Sequence, residues 1–173
     1  PMSLAEKFEG SVSNTILDQS TSGIYGTNFD SLIVKNLEVR VGKTRAQMPV
    51  TFSSLDKALL GNEFLKHFEV IINYDKEEIY LRKQKEVHIP APHNFLVAIK
   101  NDSLWAVSRT TPDVPLQLGE TLLSVNGKKP TELFDSHCDY VMNIGELLEQ
   151  DVLNVQKTDS SIINIKTLKL KNR

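Results

Sequence analysis

Few residues in this chain are of types and spacings that suggest chemistry. His137 and Cys138 are adjacent and could be a base and a nucleophilic thiol. Both lie in a helix-patterned window, where neighbours point about 100° apart and cannot hydrogen-bond as a catalytic pair. Cys138 is therefore expected to be a core thiol. His88 and His93 could clip a metal between them, but no third ligand is evident, so both are expected to be solvated and no metal is expected. Trp105, followed by Ala106 and Val107, is expected to pack one face of a strand, and Lys128-Lys129 to form a solvated corner.

Composition narrows the function classes. The chain has 173 residues, 40% hydrophobic and 24% charged, enough for one or two modest cores. With 20 Lys+Arg against 22 Asp+Glu, the formal net charge is -2 and no basic field is available to hold a phosphate backbone. Nucleic acid is not an expected partner. No apolar run approaches the roughly 20 residues that cross a bilayer, so no membrane-spanning segment is expected. The start Pro1-Met2-Ser3-Leu4-Ala5-Glu6-Lys7 lacks the apolar core of a signal peptide. A single cysteine can form neither an internal disulfide nor a Cys-based metal cage, and no cofactor is expected.

Any site must be positioned by two predicted units. The stretch Lys83 to His93 is charged and ends in Pro90 and Pro92, which exclude a regular helix or a central strand. It divides residues 5–82 from residues 94–171 as a linker. In the first unit, Ser31 to Val41 predicts two short strands around Lys35-Asn36, and Ala46 to Phe52 another. Gly61-Asn62 opens a short helix with Asn62 as its cap, and Val70-Ile71-Ile72 reads as a buried strand. Tyr74 to Glu77 then turns the chain into Ile79-Tyr80-Leu81, completing a hairpin. In the second unit, Phe95 to Ile99, Leu104 to Val107, Leu122 to Val125, Val152 to Val155 and Ile162 to Leu170 predict strands, and Leu133 to Gln150 a helix.

Leu118-Gly119-Glu120-Thr121-Leu122-Leu123-Ser124-Val125-Asn126-Gly127 resembles the Gly-Asp-x-Ile-Leu-x-Ile-Asn-Gly segment of PDZ domains, with Glu120 in place of the usual Asp. Asn-Gly tolerates the positive φ of a tight turn, and the apolar residues before it fill a barrel. The resemblance spans about residues 94–171 and implies a β-barrel with one major helix. It also implies a groove in which an extended peptide or protein substrate pairs with an exposed strand. The peptide-binding residues it implies are Asn94, Phe95, Leu96 and Val97 on the strand side, with Tyr140, Val141, Ile144 and Leu148 on the helix side. His93-Asn94-Phe95-Leu96 occupies the carboxylate-loop position but lacks that loop's glycines, so capture of a free C-terminus and of an internal segment both stay open.

Ala58-Leu59-Leu60-Gly61-Asn62-Glu63-Phe64-Leu65, followed by Phe68 to Tyr74, resembles the hydrophobic-hydrophobic-Gly element and closing strand of retropepsin-like aspartic peptidases. It implies that Leu59, Leu60 and Gly61 support a peptidase site, Gly61 by letting the chain pass close behind the catalytic loop. Gly23, Ile24, Tyr25 and Gly26 sit where the flap hairpin would be. Such enzymes use two carboxylates that share one proton, each from Asp-Thr/Ser-Gly. No such triplet exists: Asp18 precedes Gln19-Ser20, Asp56 precedes Lys57-Ala58, and Asp75 precedes Lys76-Glu77.

The expectation is a mainly β chain, a partial aspartic-peptidase-like lobe followed by a PDZ-like barrel, with no catalytic residue of its own. The first four residues read as an added leader, and the N-terminal peptidase portion of the same protein is expected to be missing. The function expected is that of a C-terminal fragment of an aspartic-type endopeptidase whose PDZ-like domain binds substrate. The alternative is a non-catalytic peptide-binding module on a degenerate peptidase-like scaffold. By the resemblance alone, the location is the bacterial cell envelope or outside the cell.

Overall fold

Short segments rich in β-branched and aromatic residues recur along the chain, and strands follow from them. A computed structural model describes residues 1–8, 13–23 and 26–168, with residues 13, 20–23 and 26–28 described by their backbone alone. The first unit contains β1 (Ser13–Gly23), β2 (Gly26–Val41), β3 (Thr44–Phe52), α1 (Asn62–Leu65), β4 (Phe68–Asn73) and β5 (Glu78–Lys83). The second contains β6 (Leu96–Lys100), β7 (Leu104–Thr110), β8 (Thr121–Val125), α2 (His137–Leu148), β9 (Val152–Lys157) and β10 (Ile162–Lys166). The fold is mainly β, with a large antiparallel sheet.

Where two short strands were expected around Lys35-Asn36, β2 runs on without a break. Its register against β3 is continuous from Ile33↔Phe52 to Val41↔Thr44, so the ladder holds both polar residues extended. Lys35 instead reaches across the sheet, donating to the Ala5 and Phe8 carbonyls at 2.9 and 2.8 Å. That fastens the N-terminal 3-10 turn, Met2–Lys7, over the β2–β3 face, where Ala5 is buried and the Phe8 and Phe52 rings lie 5.8 Å apart.

The two units share one sheet. β1 pairs with β7 through Leu17↔Thr110 and Asp18↔Arg109, giving the order β10-β9-β8-β7-β1-β2-β3 with β6 also on β7. The 83–93 stretch is irregular, as its prolines require, but the sheet bridges the boundary it marks. His67 tethers the start of that stretch: its carbonyl accepts from the Gln84 N–H at 2.9 Å, and its Nε2 accepts from the His88 N–H at 3.3 Å.

The main core belongs to the second unit, where Phe95, Trp105, Leu122 and Leu153 are fully buried together with Val97, Val107, Val125 and Val155. The turn after β8 forms as expected, with Asn126 at φ 51° and Gly127 at φ 74°, closed by paired bonds between Val125 and Lys128. Trp105 is a core residue whose indole N–H donates to the Lys128 carbonyl at 3.0 Å, and the Lys128-Lys129 corner is exposed.

The helix starts later than expected because Ser136, extended at φ -155°, caps it by accepting from the Asp139 N–H at 3.1 Å. Cys138 is exposed, correcting the core-thiol expectation. Tyr140, Ile144, Leu147 and Leu148 form the buried stripe of α2, and Cys138, two positions before Tyr140, lies nearly opposite it.

Two expectations in the first unit are also corrected. The cap of α1 is Gly61, with Asn62 as the first helical residue. Val70, Ile71 and Ile72 are exposed, because β4 pairs only with β5 and nothing described covers the pair.

Candidate peptide groove and the neighbouring cleft

The strand β6 is the element to which a peptide could add. Among the described residues it pairs with β7 alone. Its outward polarity follows from the register. Val107 donates its N–H to the Glu120 carbonyl and accepts from the Gly119 N–H, so both of its backbone groups point away from β6. Val97, opposite Val107, is then in a non-hydrogen-bonded pair, and its own N–H and C=O face the other edge. Ile99, two residues on, faces the same way. Helix α2 lies alongside, with the Tyr140 hydroxyl donating to the Val97 carbonyl at 2.9 Å.

The implied groove residues divide sharply. Phe95, Val97 and Leu148 have their side chains in the core, which corrects their assignment as peptide contacts; only the backbone of Val97 is presented. Asn94 is buried and committed: its N–H donates to the Leu168 carbonyl, its Nδ2 to the Lys166 carbonyl, and its Oδ1 accepts from the Leu168 N–H. Leu96, Tyr140 and Ile144 are half-buried against the core, and Val141 is exposed on α2. Ile99 joins the site through its backbone. Strand period alone places it on the same edge as Val97, but only the register shows that this edge is the unpaired one.

Tyr140 is wedged among aromatic rings, 6.5 Å from Trp105 and 5.6 Å from both Phe134 and His137. Burial pushes its phenol pKa above the usual 10.0, so it stays a hydrogen donor at neutral pH. Behind the groove, burial opposes ionisation of Glu120, but the Gln117 N–H at 2.9 Å and Lys157 at 2.9 Å outweigh it and hold the carboxyl below its ordinary range. Glu120 thus pins the loop before β8 to β9 and has a structural task.

In the first unit, Gly23 and Gly26 pair with each other at the end of the β1–β2 hairpin. Ile24 and Tyr25 lie outside the described residues. Leu59 is 74% exposed, Leu60 is exposed, and a Cβ on Gly61 would meet nothing within 4 Å. Among the described residues, nothing passes close to Gly61 in the way the resemblance implies.

A cleft of about 1080 Å³ opens on the β1–β3 meander, lined among others by Phe29, Leu32, Val39, Phe52 and Leu59. Asp18 and Asp30 stand directly opposite each other on β1 and β2 and both line it. Paired carboxylates in a cleft invite the shared-proton reading, but each has separate donors. Arg109 donates to Asp18 through Nε at 2.8 Å and through Nη2. The Ser54 N–H and hydroxyl donate to Asp30 at 3.0 and 2.8 Å, holding its carboxyl below the ordinary value of 3.8. Two carboxyl groups held by separate donors lack the mutual contact of a dyad that shares one proton. Asp30 was not singled out from sequence, because only the hairpin register sets it against Asp18.

Among the described residues, no group of His, Cys, Asp or Glu is placed to hold a metal ion, and no helix is long and apolar enough to cross a membrane. Comparison of the chain with protein-family models, with characterised proteins and with solved structures gave no match.

Proposed function

We propose that the second unit is a PDZ-like module that binds extended polypeptide by strand addition to β6, with α2 as the opposite wall. The observation that carries this reading is the outward-facing backbone of Val97 and Ile99 on a strand edge beside α2, whose Tyr140 hydroxyl reaches the Val97 carbonyl. The Asn126-Gly127 turn, the buried Trp105 and the single capped helix support the family likeness.

The first unit is read as the closing portion of an aspartic-type endopeptidase lobe, which makes the groove a substrate-holding device of a peptidase. Support comes from the Leu59-Leu60-Gly61 segment leading into α1 and then the β4–β5 hairpin. The separately held Asp18 and Asp30 agree with a chain that cleaves nothing by itself. That same pair is what favours the alternative, a non-catalytic binding module on a degenerate peptidase-like scaffold.

A peptide array probed with this chain tests the groove: extended apolar peptides are retained, and Ile99→Pro, which deletes an outward N–H at the strand edge, abolishes retention. An array no brighter than background ends the proposal. For the endopeptidase reading, the test is pepstatin-sensitive cleavage by the protein with its complete peptidase lobe.

A further inference from the structure

We infer that the outer edge of β5 is a self-association site, where a second copy of this chain pairs antiparallel about a two-fold axis at Tyr80. Among the described residues β4 and β5 pair only with each other, in a register that runs without a bulge from Phe68↔Lys83 to Asn73↔Glu78. No proline interrupts either strand, and an uninterrupted apolar edge is a template for a further strand. The polarity of that edge follows from the bond between the Gln84 N–H and the His67 carbonyl at 2.9 Å. It makes His67 and Gln84 a hydrogen-bonded pair, so by alternation Val70↔Leu81 and Ile72↔Ile79 are non-hydrogen-bonded pairs. The N–H and C=O groups of Ile79 and Leu81 therefore point away from β4.

The side chains of β5 select one register with itself. A two-fold pairing centred on Glu78 or Arg82 opposes like charges, and one centred on Ile79 sets Glu78 against the partner's Tyr80. Centred on Leu81, it sets Ile79 against the partner's Lys83. The centre at Tyr80 alone opposes Glu78 to the partner's Arg82 on both sides of the axis, and Ile79 to the partner's Leu81. Ile79 and the partner's Leu81 then exchange both of their outward backbone bonds. Ile79, Tyr80 and Arg82 are exposed, and Glu69 takes only Nε and Nη2 of Arg82, leaving Nη1 for the partner's Glu78. The other edge has no such match, because a two-fold pairing of β4 about Ile71 sets Glu69 against Asn73. A closed two-fold contact stops at two copies. Edge addition covers neither sheet face, so the interface is small and its Kd is on the order of 100 µM. Unfolding measured far below that concentration reads the monomer.

The experiment is sedimentation of the full chain over a concentration range spanning that Kd, where a monomer–dimer equilibrium is expected. Glu78→Lys opposes like charges on both sides of the axis, and so does Arg82→Glu, so each variant alone should dimerise about ten-fold more weakly or worse. An equal mixture of the two restores an opposite-charge pair on both sides, and its mixed dimer should form within about three-fold of the wild-type Kd. Circular dichroism checks that each variant keeps the wild-type fold. Leu81→Pro deletes an outward N–H that β4 does not use and should abolish the dimer. A wild-type chain that stays monomeric throughout overturns the inference, as does a dimer that a folded Glu78→Lys variant leaves unchanged. A mixture that associates no better than either variant alone also overturns it. Growth past two copies would show head-to-tail addition of β4 to β5 and overturn the closed pairing.

Discussion

The second unit and the β4–β5 hairpin are built from the same raw material, short strands rich in β-branched and aromatic residues, and reach opposite ends. In the second unit the apolar faces of β6 to β10 meet each other and α2, and Phe95, Trp105, Leu122 and Leu153 vanish from solvent. In the hairpin, Val70 opposes Leu81 and Ile72 opposes Ile79, so these four share one face with Phe68, which sits at its root. Among the described residues that face meets no second layer, and Ile79 is 65% exposed. An isolated two-stranded hairpin is marginal in water. This one is anchored at its base, where Phe64 and Phe68 stack at 4.9 Å. Residue type makes a strand; only a second layer makes it part of a core.

The comparison breaks most visibly at Trp105. Trp105→Ala empties the centre of the main core and removes the indole bond to the Lys128 carbonyl, and should cost about 3–5 kcal/mol in urea unfolding. A loss below about 1 kcal/mol would mean that the second unit is no better packed than the hairpin. At the seam between the units, Arg109→Met leaves the buried Asp18 carboxylate without its cation and should cost about 2 kcal/mol. Adding Asp18→Asn should return part of that loss, a coupling that a double-mutant cycle reads directly.

Glu120 offers a pH test. Its pKa is lowered on folding, so its contribution is complete above the ordinary value of 4.5 and fades as pH falls through the lower folded value. Glu120→Gln should cost about 1 kcal/mol at neutral pH, and the gap from wild type should close on acidification towards pH ~3. A gap independent of pH would show that the carboxylate charge is irrelevant there. Smallest of all, Ile79→Ser should change stability by less than about 0.5 kcal/mol. A loss several times larger would show the hairpin face to be covered in solution and would erase the contrast.

Much of the second unit was legible because its signals are local. The Asn126-Gly127 turn, the strand at Leu122 to Val125 and the core role of Trp105 depend on neighbours within a few residues, and each is where the sequence puts it. The strand β6 and the helix α2 were legible as elements, but which of their residues face outward was less so. Phe95, Val97 and Leu148 face inward, and Asn94 is consumed by a segment more than seventy positions later in the chain.

What the amino-acid order determined alone is the set of strands, the irregular 83–93 stretch and the absence of an Asp-Thr/Ser-Gly loop, since period, proline and motif are all short-range properties. What only the tertiary structure decided is which edges and faces find partners. It joined β1 to β7, set Asp30 against Asp18, turned Cys138 outward and laid the Tyr140 hydroxyl on the Val97 carbonyl. Those outcomes depend on register and packing between residues far apart in sequence, for which no local pattern carries the information.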